Sequence, residues 1–206
     1  MDQTPVIIVL AAGRGRRFDA MRHKLAQPLG ASTVLGQTVG HAIETGLAVV
    51  VVTTEPLSAE ASSLVAGRDV VVLSQWQRMS DSAGMGYSIA AGVAARPDAA
   101  GWLVLPGDMP LVKPASILAV TAALASHPVV FAQHLGRRGH PVGFSAELYS
   151  ELIQLTGDEG ARRVVARYPS QGVEVGDPGV LIDVDTEADL AAIRSAVAEG
   201  VGPGTV

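Results

Sequence analysis

Arg14, Arg16, Arg17 and Lys24 are among five basic side chains, with Arg22, that fall within eleven residues of a chain whose net charge is -5. They accompany the run Leu10-Ala11-Ala12-Gly13-Arg14-Gly15-Arg16-Arg17-Phe18. Small residues at Ala11, Ala12, Gly13 and Gly15 let backbone N–H groups approach an anion closely, and a succession of such donors makes a phosphate-binding concavity. An ordinary glycine-containing turn with solvated arginines fits the same residues. The run matches neither the Walker pattern nor G-x-G-x-x-G.

Two acidic segments could supply the counter-charge. Leu105-Pro106-Gly107-Asp108-Met109-Pro110 follows an apolar run, so Asp108 sits in a tight turn where a strand would end. Magnesium takes a few carboxylates together with phosphate oxygens, which suits Asp108 facing the basic loop; a turn-forming Asp that bonds its own backbone is the plainer alternative. In Asp183-Val184-Asp185-Thr186, Thr186 caps the next helix with Asp189 as a capping-box partner. That leaves Asp183 and Asp185 on one face of an extended strand, where a second carboxylate, Asp185, would complete a metal site with Asp108.

Three further segments carry chemistry-bearing residues. Ser82-Ala83-Gly84-Met85-Gly86-Tyr87-Ser88 opens a helix, with Gln75 and Trp76 upstream, and its glycines permit close contact with a flat or anionic group or simply a flexible helix entry. Arg137-Arg138-Gly139-His140-Pro141 joins an imidazole to basic neighbours. Gly157-Asp158-Glu159-Gly160-Ala161-Arg162 is another loop entering a helix, with its acids also suited to the first turn. His23, His41, His127 and His134 show no metal-ligand spacing.

The elements that must position these residues alternate. Apolar, β-branched runs at Val6–Leu10, Val49–Thr53, Val70–Leu73 and Trp102–Leu105 predict strands buried on both faces of a parallel sheet. Helical spacing between them appears at Thr33–Thr45 (Val34, Leu35, Thr38, Val39, Ala42 and Ile43 on one face), Leu57–Val65, Tyr87–Ala95 and Pro114–Ala125 (Ile117, Leu118, Val120 and Leu124 inward). Val129–Gln133 and Pro141–Phe144 predict a hairpin-like excursion turning at Gly136–Gly139. Helices at Glu147–Leu155 and Ala161–Tyr168, a strand at Val180–Val184 and a helix at Glu187–Ala198 follow. The pattern predicts an α/β fold: a three-layer α/β/α, Rossmann-like sandwich on a mostly parallel, doubly wound sheet with a small β excursion in the second half. One domain is expected over 1–199, with a glycine-rich tail at 200–206.

Composition narrows the chemistry. With 48% hydrophobic and 4% aromatic residues, the core must be built from Val, Leu, Ile and Ala. The absence of cysteine excludes disulfides, thiolate zinc sites and cysteine nucleophiles. The acidic balance argues against nucleic acid as a partner. The first apolar run is too short to span a bilayer and lacks a basic flank, so a cytoplasmic protein without a membrane partner is expected.

Together these segments resemble the MobA-like nucleotidyltransferase family, which includes the enzymes that make molybdopterin dinucleotides. Within it they are most similar to the molybdenum cofactor cytidylyltransferases. The resemblance rests on LAAGRGRRF with Lys24, GMGYSI at Gly84–Ile89, LPGDMP at Leu105–Pro110, RRGHPVGF at Arg137–Phe144, GDEGARRV at Gly157–Val164 and IDVDTEADL at Ile182–Leu190. These occur in the family's order and reach to about Ile193; Asp19 departs, standing where the family commonly has glycine. The resemblance implies a Rossmann-like sandwich and Mg2+-dependent transfer of CMP from CTP to molybdopterin or the molybdenum cofactor, releasing pyrophosphate. It implies Leu10, Ala11, Ala12, Gly13, Arg14, Gly15 and Lys24 on the triphosphate, with Arg17 and Lys24 neutralising charge and Asp108 catalytic. Asp108 and Asp185 would hold the metal. Gln75, Gly84, Met85, Gly86 and Ser88 would lie near the base, and Arg138, His140, Asp158 and Arg162 on the acceptor side. A molybdoenzyme maturation chaperone would be a further partner. Alternatives are another nucleotide or acceptor (GTP, or a sugar or polyol phosphate), or a catalytically silent protein that binds the pterin cofactor.

Overall fold

The computed structural model describes residues 4–13, 23–74 and 84–198. Seven strands form one sheet in the order β5-β4-β1-β6-β8-β7-β9. In chain order they are β1 (Val6–Leu10), β4 (Ala48–Thr54), β5 (Val70–Leu73), β6 (Gly101–Pro106), β7 (Val129–His134), β8 (Arg137–Ser145) and β9 (Ser170–Glu174). A small hairpin pairs β2 (Pro28–Leu29) with β3 (Ser32–Thr33). Strands β5, β4, β1 and β6 run parallel, whereas β8 lies antiparallel to both β6 and β7. The predicted excursion is therefore the β7–β8 hairpin inserted into the sheet, and β9 extends the edge parallel to β7.

The parallel strands β1, β4 and β6 are buried on both faces, as their unbroken apolar runs require, whereas β5 was expected to be but forms the sheet edge and leaves Val72 38% exposed. Ile7, Val9, Val51, Leu103 and Leu105 face one layer, and Val6, Ile8, Val50, Val52, Trp102 and Val104 face the other. The first layer holds α1 (Val34–Glu44), α2 (Glu55–Leu64), α4 (Pro114–Ala123) and α7 (Glu187–Ala198), through residues such as Leu35, Leu57, Ile117 and Leu190. The second holds α3 (Met85–Ala94), α5 (Tyr149–Leu152) and α6 (Arg162–Arg167), through Ile89, Leu152 and Val164. The result is the expected three-layer sandwich. Each fully buried Ile or Leu contributes about 1.5–3 kcal/mol.

Several expectations shift. Ile43 and Leu118 are 47% and 43% exposed: each lies one residue beyond the inward stripe (Val39 and Ala42; Ile117 and Val120) that meets the sheet. The excursion turns at Leu135-Gly136 rather than Gly136–Gly139, with positive φ at both residues (51° and 72°). Glu174 makes this turn possible by accepting the amides of Leu135 (2.6 Å) and Gly136 (3.3 Å). Strand β9 has no apolar signal because Ser170-Gln171-Gly172-Val173-Glu174 is an exposed polar edge. The predicted strand Val180–Val184 is instead a 3-10 turn, Pro178–Leu181, followed by irregular chain. This turn crosses over β8 so closely that a Cβ at Gly139 would strike the carbonyl of Val180. Apolar burial, not pairing, explains the Val-Leu-Ile run there.

Candidate active site

Because β1 and β6 are parallel and in register, with Leu10 opposite Pro106, their carboxyl ends lie level and the chains leaving them run side by side. The amide of Gly107 donates to the carbonyl of Leu10 (2.9 Å). The buried Thr38 hydroxyl of α1 donates to the carbonyl of Gly107 (3.0 Å), pinning the turn from below. The sequence marked Thr38 only as part of a helix face. Met109 and Val112, both buried, anchor the far side of the turn, which leaves Asp108 projecting at the strand ends. The amide of Val184 then donates to the carbonyl of Asp108 (2.8 Å), which brings the second acidic segment alongside the first.

Lys24 lies at the centre of this arrangement. Its ammonium donates to Asp108 Oδ2 (2.6 Å), Asp185 Oδ1 (2.9 Å) and the carbonyl of Val184 (2.9 Å). An ammonium has three N–H donors, and these three acceptors use them all. Burial alone would lower the Lys24 pKa, but the carboxylates of Asp108 and Asp185 outweigh it and hold the group above its ordinary value. Asp183 joins the cluster: Asp108, Asp183 and Asp185 each offer an oxygen within 4.8 Å of the others. Burial and then the charges of Asp108 and Asp185 push the Asp183 pKa up. Three carboxylates at this spacing form a hard oxygen donor set suited to a divalent cation such as Mg2+ or Mn2+. A cation already sits there in the form of the lysine, so the residues fit such an ion. Asp189 steadies the segment by accepting the amides of Asp185 (3.2 Å) and Thr186 (2.7 Å), while Thr186 Oγ1 accepts the amide of Asp189 (3.2 Å). This is the expected capping box of α7.

His23, which sequence spacing left without a role, closes the basic loop. Leu25 donates its amide to His23 Nδ1 (3.3 Å), so Nε2 carries the proton and donates to the carbonyl of Gly13 (3.0 Å). The two described ends of the loop are thereby tied together. Arg14, Gly15 and Arg17, and likewise Gln75, lie outside the described residues. Leu10 and Ala12 are half-buried, Ala11 is buried and Gly13 is exposed at the start of the loop.

The remaining candidates occupy the other face. On β8, Arg138 and His140 lie in the stretch where the register with β7 shifts, ahead of Val142 and Phe144. The Arg138 guanidinium lies over the Phe131 ring (4.2 Å to its centroid), and burial lowers its pKa. Burial pushes His140 down to about 4; the attraction of Asp108 opposes this and Arg138 reinforces it, so the imidazole is neutral at pH 7. Gly84, at φ 145°, and Gly86 bring the start of α3 against residues 156–158: the amide of Gly86 donates to the carbonyl of Gly157 (2.9 Å), and a Cβ at Gly84 would meet that carbonyl. Ser88 is buried and turns its hydroxyl back to the carbonyl of Gly84 (3.2 Å). Met85, Asp158 and Arg162 are exposed around this junction. The turn at Gly84–Gly86 and the segment around Gly157 thus pack against each other.

The profile of the MobA-like NTP transferase domain matches residues 7–173, most of the chain. The chain belongs to the MobA-like NTP transferase family. It is a nucleotidyltransferase-family protein, and the matched span contains Lys24 and Asp108, while Asp183 and Asp185 lie beyond it. Bifunctional protein GlmU of Xanthomonas campestris pv. campestris (strain 8004) is 32% identical over 111 residues, 54% of this chain. That stretch spans 24% of the GlmU chain, about a quarter of the relative's length. Among solved structures, Rv0371c from Mycobacterium tuberculosis H37Rv is 29% identical with a TM-score of 0.79, covering 93% of this chain and 98% of its own. A complex of Rv0371C with manganese from the same organism aligns at 27% identity and a TM-score of 0.76, over 94% of this chain and 99% of its own. Among the described residues, no helix is long and apolar enough to cross a membrane.

Proposed function

We propose that this MobA-like transferase moves CMP from CTP to the terminal phosphate of molybdopterin or the molybdenum cofactor, with release of pyrophosphate, and that it works as one cytoplasmic domain. The observation that carries the metal-dependent transfer is the clustering of Asp108, Asp183 and Asp185 at the carboxyl ends of β1 and β6, with the Lys24 ammonium bonded to Asp108 and Asp185. The order of the family's motifs supports the cytidylyl and molybdopterin specificity. A phosphate oxygen of the acceptor attacks the α-phosphorus of CTP while the bond to the bridging oxygen breaks and pyrophosphate leaves. Such a transfer needs positioning and charge neutralisation rather than a protein nucleophile, and an ionised phosphate needs no strong base.

In this reading the loop from Leu10 to Gly15, including Ala11, Ala12, Gly13 and Arg14, turns its amides and cations to the triphosphate, and Lys24 and Arg17 neutralise charge that grows on it. Asp108 and Asp185 hold Mg2+, which would supply further neutralisation on the phosphate oxygens when bound. Gln75 and the Gly84, Met85, Gly86 and Ser88 turn border the base. Arg138, neutral His140, Asp158 and Arg162 border the acceptor, with His140 able to donate or accept a hydrogen bond without adding charge. Pyrophosphate release measured with CTP, GTP and UTP against molybdopterin and a sugar phosphate, with and without Mg2+, tests this. Turnover with CTP and molybdopterin, lost without Mg2+, is expected. Pterin binding with no turnover on any pair would overturn it in favour of a silent carrier.

A further inference from the structure

In this arrangement Lys24 cannot touch a triphosphate. All three of its N–H donors are taken by Asp108, Asp185 and the Val184 carbonyl. Nor can a divalent cation bind both carboxylates by their facing oxygens while the ammonium stays between them, since two cations would then share one small space. The backbone around Lys24 is fixed: Leu25 is buried, and His23 is bound to Gly13 at the mouth of the basic loop. The four-carbon side chain carries the ammonium away from this anchored backbone, and Gly13 is bonded to the residue that precedes it.

We infer that Lys24 is a built-in counter-cation for the Asp108–Asp185 pair, displaced when a divalent metal arrives and thereby handed to the triphosphate. The inference rests on the metal reading above and adds an order to it: the acids are never left facing one another uncompensated, and the phosphate-binding lysine is released only once the metal is in place. A triphosphate arriving without metal meets a lysine that is already saturated.

The chain has two lysines, Lys24 and the exposed Lys113, so amine labelling of the wild-type protein resolves the device with an internal reference. The protein is treated with N-hydroxysuccinimidyl acetate, and the modification of each lysine is followed by peptide mass spectrometry. Without metal, Lys24 is expected to react at least about tenfold more slowly than Lys113, because it is held by charge-assisted hydrogen bonds. Saturating Mg2+ should raise its rate several-fold while leaving Lys113 unchanged, and tripolyphosphate added with Mg2+ should slow it again. A Lys24 rate unmoved by Mg2+ that calorimetry shows to be bound, or unmoved by tripolyphosphate, overturns the handover and leaves the metal reading standing. Absence of Mg2+ binding by calorimetry overturns the metal reading and this inference together.

Discussion

Val184 donates its amide to the carbonyl oxygen of Asp108 at 2.8 Å, so the two acidic segments are joined by main chain and not only through their charged side chains. The carboxylates can therefore be altered one at a time while the scaffold that aims them stays bonded.

Asp108→Asn is expected to keep the fold, by circular dichroism, and to lose turnover by about 10²-fold or more, the scale on which a single electrostatic stabiliser counts in such sites. Mn2+ affinity, read by calorimetry, should fall in parallel. Unchanged turnover would remove Asp108 from the chemistry.

His23→Ala unties Gly13 from the segment that carries Lys24. One hydrogen bond of about 1 kcal/mol corresponds to a five- to tenfold loss, so nucleotide KM is expected to rise by about that factor with kcat less affected. A fall in kcat alone would place His23 in the reaction rather than in the loop's anchoring.

Gly139→Ala drives a methyl group into the carbonyl of Val180. Relief requires the 178–185 segment to lift from β8, at a cost of about 1–3 kcal/mol. A lower Tm is expected together with weaker Mn2+ binding, because the same segment carries Asp183 and Asp185. Lowered stability with unaltered Mn2+ affinity would show that the acids are held independently of the crossover.

Asp189→Ala removes the acceptor of the Asp185 and Thr186 amides. The hydroxyl and amide of Thr186 lower the pKa of Asp189 in the folded chain, so its charged form favours folding. Its contribution is present above the ordinary aspartate value of about 4 and is lost as pH falls through the lower folded value. The variant should melt below the wild type at pH 7, and the gap should narrow towards pH 3. A gap that widens on acidification would contradict this sign.

The strands β1, β4 and β6 were legible because a strand buried on both faces must be apolar at every position, and a run such as Val6–Leu10 has few other uses. Strand β9 was not, because an exposed edge strand needs no apolar residue; its place comes from pairing with β7. The run at Val180–Val184 misled for the converse reason: burial of Val180 and Val184 against the sheet layer produces the same letters as strand pairing. His23 carried no signal, since its partners are a backbone carbonyl and a backbone amide, which any sequence provides.

By itself the sequence determined the alternation of strand and helix, the acids at two chain turns and the basic glycine-rich run, because these depend on residue type and local spacing. It assigned Lys24 to the phosphate loop that precedes it. Only the tertiary structure decided that Lys24 is bonded to Asp108 and Asp185, 84 and 161 positions away. Ion pairs at such separations depend on sheet order: β6 beside β1 brings in Asp108, and the 178–185 crossover of β8 delivers Asp185. Neither leaves a periodic trace in the chain.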